Sequence, residues 1–143
     1  MMPSALEIPA SHRELIDGPY PAVLSTLLPD GQPQVTPVWC NRQGSVILIN
    51  TMRGFRKEKN MRANPRVSLL AYDPRRPTHN IEIRGRVVAM SEDGACEHLD
   101  ELTALYLGKP GAKFFGDSVA AELAERYRPV RVAIAPERVR VEG

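Results

Sequence analysis

The chain is poor in the residues that announce chemistry. Of its 143 residues only two are cysteine and three are histidine. Cys40 and Cys96 lie far apart without CxxC spacing, which excludes a disulfide framework and predicts two reduced, buried thiols. His12, His79 and His98 are scattered, so no metal site is expected. No apolar run approaches the roughly 18 residues of a membrane span. The stretch "MMPSALEIPASHREL" lacks a basic region followed by an apolar core, so a cytoplasmic protein with no membrane partner is the expectation. There is no GxGxxG after a strand, "GKPG" is not a P-loop, and no GxSxG elbow occurs. Glu92, Asp93, Glu97, Asp100 and Glu101 read as the solvated face of a helix. No nucleophile or general base can be assigned, so the catalytic residues are unknown. Any enzymatic reactivity has to come from a cofactor.

What is present has the proportions of one globular domain spanning residues 1–143, with 43% hydrophobic and 25% charged residues. The net charge of +2 is unevenly placed. Arg53 to Arg86 holds ten Lys/Arg against three Asp/Glu, a local +7 that leaves −5 for the remainder. That asymmetry suggests an anion site.

The pattern of residues predicts a short helix over "SHRELID", with Ser11 as N-cap and Glu14 completing a capping box. "YPAVLSTLL" and "PQVTPVWC" read as a hairpin about Asp30-Gly31. Pro37 inside the second strand implies an edge, a bulge or a ligand-facing position. "SVILINT" is apolar without alternation, a strand buried on both faces. Residues 54–63 form a helix that ends before Pro65. "RVSLLAYD" and "HNIEIRGRVVAM" follow as strands, the latter bent at Gly85. "SEDGACEHLDELTALYLG" is an amphipathic helix, residues 117–127 a second, and "PVRVAIAP" and "RVRVE" closing strands. About seven strands with short connections imply an antiparallel sheet, commonly closed into a small barrel.

The stretch "RGFRKEKNMRANPRV" places six basic residues and one acid directly behind the most apolar strand. Arg56 and Lys57 fall on the first turn of the helix, where backbone N–H groups are unpaired and the dipole is positive. Thr51, ending the preceding strand, offers a hydroxyl. These groups together can hold a phosphate; the alternative is a basic surface helix with Arg62 and Arg66 solvated or paired. Trp39, the only tryptophan, stands in "TPVWC" as either a core residue or a flat wall for a planar ring. Phe55 and Tyr72 are the only aromatics of the basic segment, which argues against a nucleic-acid groove.

Together "AVLSTLLPDGQPQVTPVW", "ILINTMRGFRKEKNMRANPRVSLLAY" and "IEIRGRVV" resemble, in order and spacing, the pyridoxamine 5′-phosphate oxidase-like, FMN-binding split-barrel family. The closing "YRPVRVAIAPERVRVEG" is similar to small actinobacterial-type members that use FMN or the deazaflavin coenzyme F-420. The resemblance implies a mainly β, six-stranded antiparallel split barrel forming a homodimer, with FMN or the deazaflavin in a groove between subunits. It implies a phosphate held by Arg56 and Lys57 with Asn50 and Thr51, a ring along Val35, Thr36, Pro37, Val38 and Trp39, and a contact from Asn80. The activity implied is hydride or electron transfer to a small planar or unsaturated acceptor. A non-catalytic flavin or tetrapyrrole (heme) carrier on the same fold is the alternative, with His79 its one candidate ligand. Pyridoxamine phosphate oxidases also carry a basic residue near the end of the second strand and a C-terminal tryptophan with an Arg-rich motif. Here those regions read "VWC" and "ERVRVEG", so that oxidation is not expected.

Overall fold

A computed structural model describes residues 6–143. All seven strands belong to one antiparallel sheet: β1 (Ala22–Leu27), β2 (Pro33–Val38), β3 (Cys40–Gln43), β4 (Val46–Met52), β5 (Arg66–Asp73), β6 (Arg76–Ser91) and β7 (Pro129–Glu142). Their lateral order is β2-β1-β5-β6-β7-β4-β3. Three helices accompany them: α1 (Glu14–Asp17), α2 (Arg56–Ala63) and α3 (Ala95–Leu107).

The order has a geometric consequence. β2 and β3 are the two opposite edges of the sheet, yet a single residue, Trp39, separates them in sequence. Val38 and Cys40 are therefore within about 7 Å of each other, the reach of two residues. The sheet has to curl until its edges meet at Trp39, which makes it a split barrel. The apolar alternation of β1 (Ala22, Leu24) and β5 (Val67, Leu69, Ala71) faces inward, with Ile47 and Ile49 of β4, Ile81 and Ile83 of β6, and Val130, Val132 and Ile134 of β7. Ile8, Leu15 and Ile16 of the N-terminal segment close one side of this core. β4 is buried on both faces because Leu48, on the outer side, is also covered.

Several expectations require correction. The sheet has seven strands, not six. "PQVTPVWC" is not one strand: it breaks at Trp39, where the chain passes from one sheet edge to the other. The closing segment is one continuous strand, because β7 pairs along both β6 and β4 without a turn. Residues 117–127 do not form a helix. Phe114–Ser118 is a distorted turn in which Gly116 has φ 127°, and Ala121–Glu125 is a 3-10 turn. The capping box of the first helix is absent: a 3-10 turn over Ala10–His12 precedes α1, and Ser11 Oγ bonds His12 Nδ1 instead. α3 begins only at Ala95, so Glu92 and Asp93 precede it. Cys40 is buried as expected, but Cys96 is exposed.

Other expectations hold. Gly31 takes φ 89° in the β1–β2 turn, as the Asp30-Gly31 pair requires. Pro37 sits in an edge strand, where its missing N–H costs no ladder bond. The register of β6 against β7 shifts at Arg84/Gly85. A Cβ on Gly85 would stand 2.5 Å from the Ala135 carbonyl oxygen, so only glycine allows that close crossing.

Candidate functional site

A cavity of about 540 Å³ opens at the seam of the curled sheet. Its size is that of a small-molecule site. The ends of β2 and β4, the start of β1, the first turn of α2 and one face of α3 converge there.

Much of the wall is aromatic. Trp39 stacks on Tyr106 at 5.2 Å between ring centroids with planes 15° apart, and Phe114 meets Trp39 edge-on at 6.1 Å. The Tyr106 hydroxyl accepts from the Cys40 N–H (3.1 Å) and lies 3.2 Å from the Tyr20 carbonyl oxygen to which it donates. Burial raises its ionisation well above that of an ordinary tyrosine. Tyr106 is thus neutral and already bonded, a wall and not an acid. Leu99 and Leu102 of α3 complete the apolar lining.

The lining also has polar members. Lys57 reaches the cavity from α2, and partial burial lowers its pKa below that of an ordinary lysine. Asn50 and Thr51 line the same wall. Their Asn50 Oδ1 and Thr51 Oγ1 are two of only three buried side-chain polar atoms without a partner among the described residues. Buried polar groups are normally paired, and these two exceptions fall on consecutive residues of β4 that both line the cavity. Among the described residues Lys57 is the only charged one that lines the cavity, and no carboxylate joins it.

The basic segment divides its charges. Arg62 pairs with Glu58, whose other oxygen accepts the Gly54 N–H at 2.8 Å. Arg53 lies 3.3 Å from Glu92. Arg56 turns to Asn60, its Nε donating to Asn60 Oδ1 at 3.0 Å. Neighbours on a helix point about 100° apart, so Arg56 and Lys57 do not converge, and Lys57 alone faces the cavity.

Of the residues expected at the site, the structure brings together Pro37, Val38, Trp39, Asn50, Thr51 and Lys57. Val35 is 61% exposed on the solvent face of the edge strand, and Thr36 points to the opposite side. Asn80 lies in a separate groove with Leu70, Glu82 and Arg140, and its amide donates to Glu142 (2.9 Å). His79 is also elsewhere: its ring nitrogens meet the Gly143 carbonyl oxygen and Glu14. Sequence reasoning missed Tyr106, Phe114, Leu99 and Leu102. The helical spacing of Leu99 and Leu102 was visible, but nothing in it said that this face covers a cavity instead of core.

A curled antiparallel sheet whose edges meet over a cavity lined by aromatic side chains and a lysine defines a split-barrel protein. Residues 8–142 match the sequence model of the pyridoxamine 5′-phosphate oxidase family, and the chain belongs to that family. Among solved structures it is similar to an F-420 reductase, with 26% identity, a TM-score of 0.76, and coverage of 93% of this chain and 98% of that one. It is also similar to a conserved hypothetical protein from Mycobacterium tuberculosis (21% identity, TM-score 0.69, 99% and 88% covered). HupZ from Group A Streptococcus is a further likeness (17% identity, TM-score 0.63, 92% and 91% covered). The latter two show the fold alone. No curated protein sequence matches the chain.

Proposed function

We propose that the protein is a flavin- or deazaflavin-dependent reductase that binds FMN or coenzyme F-420 in this cavity and serves a small planar or unsaturated electron acceptor. The observation that carries the reading is the lining of one cavity: Lys57, Asn50 and Thr51, the last two each with an unpartnered polar atom, share it with the Trp39–Tyr106–Phe114 aromatic group. These residues fit a phosphate-bearing tricyclic ring. The similarity to an F-420 reductase over nearly the whole chain supports the same reading.

When bound, the cofactor supplies the hydride. The chain's own residues bind and orient it. Lys57 and the Thr51 hydroxyl face the anion, beside the unpaired N–H groups of the first turn of α2. The aromatic wall excludes water and fixes the plane of the ring. The Tyr106 hydroxyl is engaged by the Cys40 N–H and the Tyr20 carbonyl oxygen, so this side chain serves as wall and not as acid.

A second copy is part of the proposal. The solvent face of β1, β2 and β5 exposes Val35 (61%) and Leu70 (38%), and Asn80 shares that face. A homodimer across it would cover these side chains and place Asn80 at an interface. A monomeric mass in solution removes this part of the reading.

The deciding experiment is a titration of the protein with FMN and, separately, with the deazaflavin, following Trp39 fluorescence. Quenching is expected because Trp39 is the only tryptophan and lines the cavity. A preference for FMN identifies a flavoprotein, and a preference for the deazaflavin identifies a reductase using it as cosubstrate. No response to either overturns the proposal.

A further inference from the structure

Behind the cavity wall lies a three-residue relay. His98 of α3 is buried, and its two ring nitrogens face two asparagines: Nε2 stands 2.8 Å from Asn41 Oδ1, and Nδ1 stands 3.2 Å from Asn50 Nδ2. Asn50 Nδ2 also donates to the Ala95 carbonyl oxygen at 3.0 Å. The orientation of each group follows from these partners. A carbonyl oxygen can only accept, so the side of Asn50 facing Ala95 is its NH2. That amide then donates to His98 Nδ1, which must be the unprotonated nitrogen. The proton sits on Nε2 and is donated to Asn41 Oδ1. Burial, with Arg131 nearby, keeps the ring neutral by lowering its pKa to about 4.

The consequence for the cavity is chemical. Both donors of Asn50 are engaged behind the wall, and what remains is Oδ1, an acceptor, buried and without a partner. A deprotonated phosphate offers only acceptors and would be repelled by it. We infer that the Asn41–His98–Asn50 relay fixes Asn50 as a hydrogen-bond acceptor for an N–H or O–H donor of the bound ligand, with His98 and Asn41 as positioning residues. This keeps Asn50 in the site and changes its role: it reads the ring or the polyol chain, and the anion belongs to Lys57 and Thr51. The inference rests on the flavin or deazaflavin reading above.

The donor has two sources, the imide N–H of the ring and a hydroxyl of the polyol chain, and ligand analogues separate them. Binding of FMN is measured against N3-methyl FMN and against analogues lacking single polyol hydroxyls, in the full chain and in Asn50→Ala. One analogue is expected to bind about tenfold or more weakly than FMN, the cost of leaving a buried acceptor unmade. In Asn50→Ala that discrimination disappears. His98→Leu, with its fold checked by circular dichroism and melting temperature, also weakens the discrimination, although His98 does not touch the ligand. Equal affinity for every analogue overturns the inference while leaving the cofactor reading intact. Discrimination that persists in Asn50→Ala assigns the loss to steric hindrance and overturns it equally. Failure of FMN and the deazaflavin to bind at all removes the cofactor reading and the inference with it.

Discussion

Two asparagines ten positions apart show how this molecule separates scaffold from site. Asn60, on α2, is fully closed: its Oδ1 accepts from Arg56 Nε, and its NH2 donates to Thr26 Oγ1 and to Gln34 Oε1, each at 3.1 Å. It staples α2 to the β1–β2 hairpin and leaves nothing over. Asn50, on β4, is half closed, with its donors engaged by Ala95 and His98 and its oxygen unpartnered. Both residues are polar, both lie next to the basic segment, and both are held by a second layer of side chains. The difference is in the completeness of bonding. A buried polar network with every member satisfied rigidifies a fold, whereas Asn50 keeps one unpartnered acceptor on a residue that lines the cavity.

The comparison breaks most visibly at Asn60. Replacing it by alanine leaves the buried Thr26 hydroxyl without its partner and releases Arg56 and Gln34. Asn60→Ala is expected to lower stability by about 2–3 kcal/mol in urea denaturation, the cost of a buried group left unpaired together with the hydrogen bonds lost. Cofactor affinity, corrected for the folded fraction, should fall little. An unchanged denaturation midpoint would mean the network is not the staple described.

Lys57 and Arg56 sharpen the same contrast within one helix turn. Lys57→Ala is expected to weaken binding of FMN or the deazaflavin by about 1.5–3 kcal/mol, the range for a hydrogen bond to a charged group. Arg56→Ala should cost less than about 1 kcal/mol in affinity, because its guanidinium is held by Asn60 and faces away from the cavity. Equal losses in the two variants would show that Arg56 swings to the phosphate on binding. Affinity should also fall as pH rises toward the lowered pKa of Lys57, at a lower pH than an ordinary lysine would give.

Much of this was legible in the sequence where local chemistry decides the outcome. Asp30-Gly31 fixed a turn, Gly85 a shift in register, Pro65 the end of α2, and the unbroken apolar run of β4 its burial on both sides. The cluster of charges behind β4 includes Lys57, which lines the cavity. What could not be read was which charge faces inward, because Arg56 and Lys57 differ only in the azimuth of adjacent helix positions. That azimuth is set by Asn60 and the hairpin it grips, a contact 34 positions away in sequence at Thr26. The break at Trp39 was hidden for a related reason: its flanks have the composition of a single strand, and only the curling of the sheet sends them to opposite edges. Gly108 ends α3 as its sequence suggests, but the turn after it escaped because 117–127 reads as a helix, whereas the chain is folded back at Gly116 and the Asp100 carboxylate accepts the Phe114 N–H at 2.8 Å. Phe114 is held over the cavity by that tertiary bond, which no local pattern announces.

The smallest expected effect tests the relay in the free protein, without ligand. His98 has its pKa lowered from 6.5 to about 4 by burial and by Arg131, so the folded state holds the neutral ring while the unfolded chain takes up a proton in that window. The unfolded state then binds more protons than the native state between these values, and stability must fall as pH drops from 6.5 toward 4. Arg42, Glu97, Glu101 and Arg131 border the same groove as His98 and add their charges to its field, so the isolated contribution is read by difference. His98→Gln keeps an amide that can bond Asn41 and cannot ionise. Unfolding free energies measured by urea at several pH values should show a steeper acid limb in the native chain than in His98→Gln, with the two converging above pH 6.5 apart from a constant offset. Protonation puts a hydrogen on Nδ1 opposite the Asn50 NH2, donor against donor, so cofactor affinity should weaken along the same limb. Parallel limbs in the two proteins would mean that His98 is not held neutral by its asparagines, and Asn50 would then lose the constraint that makes its oxygen an acceptor for the ligand.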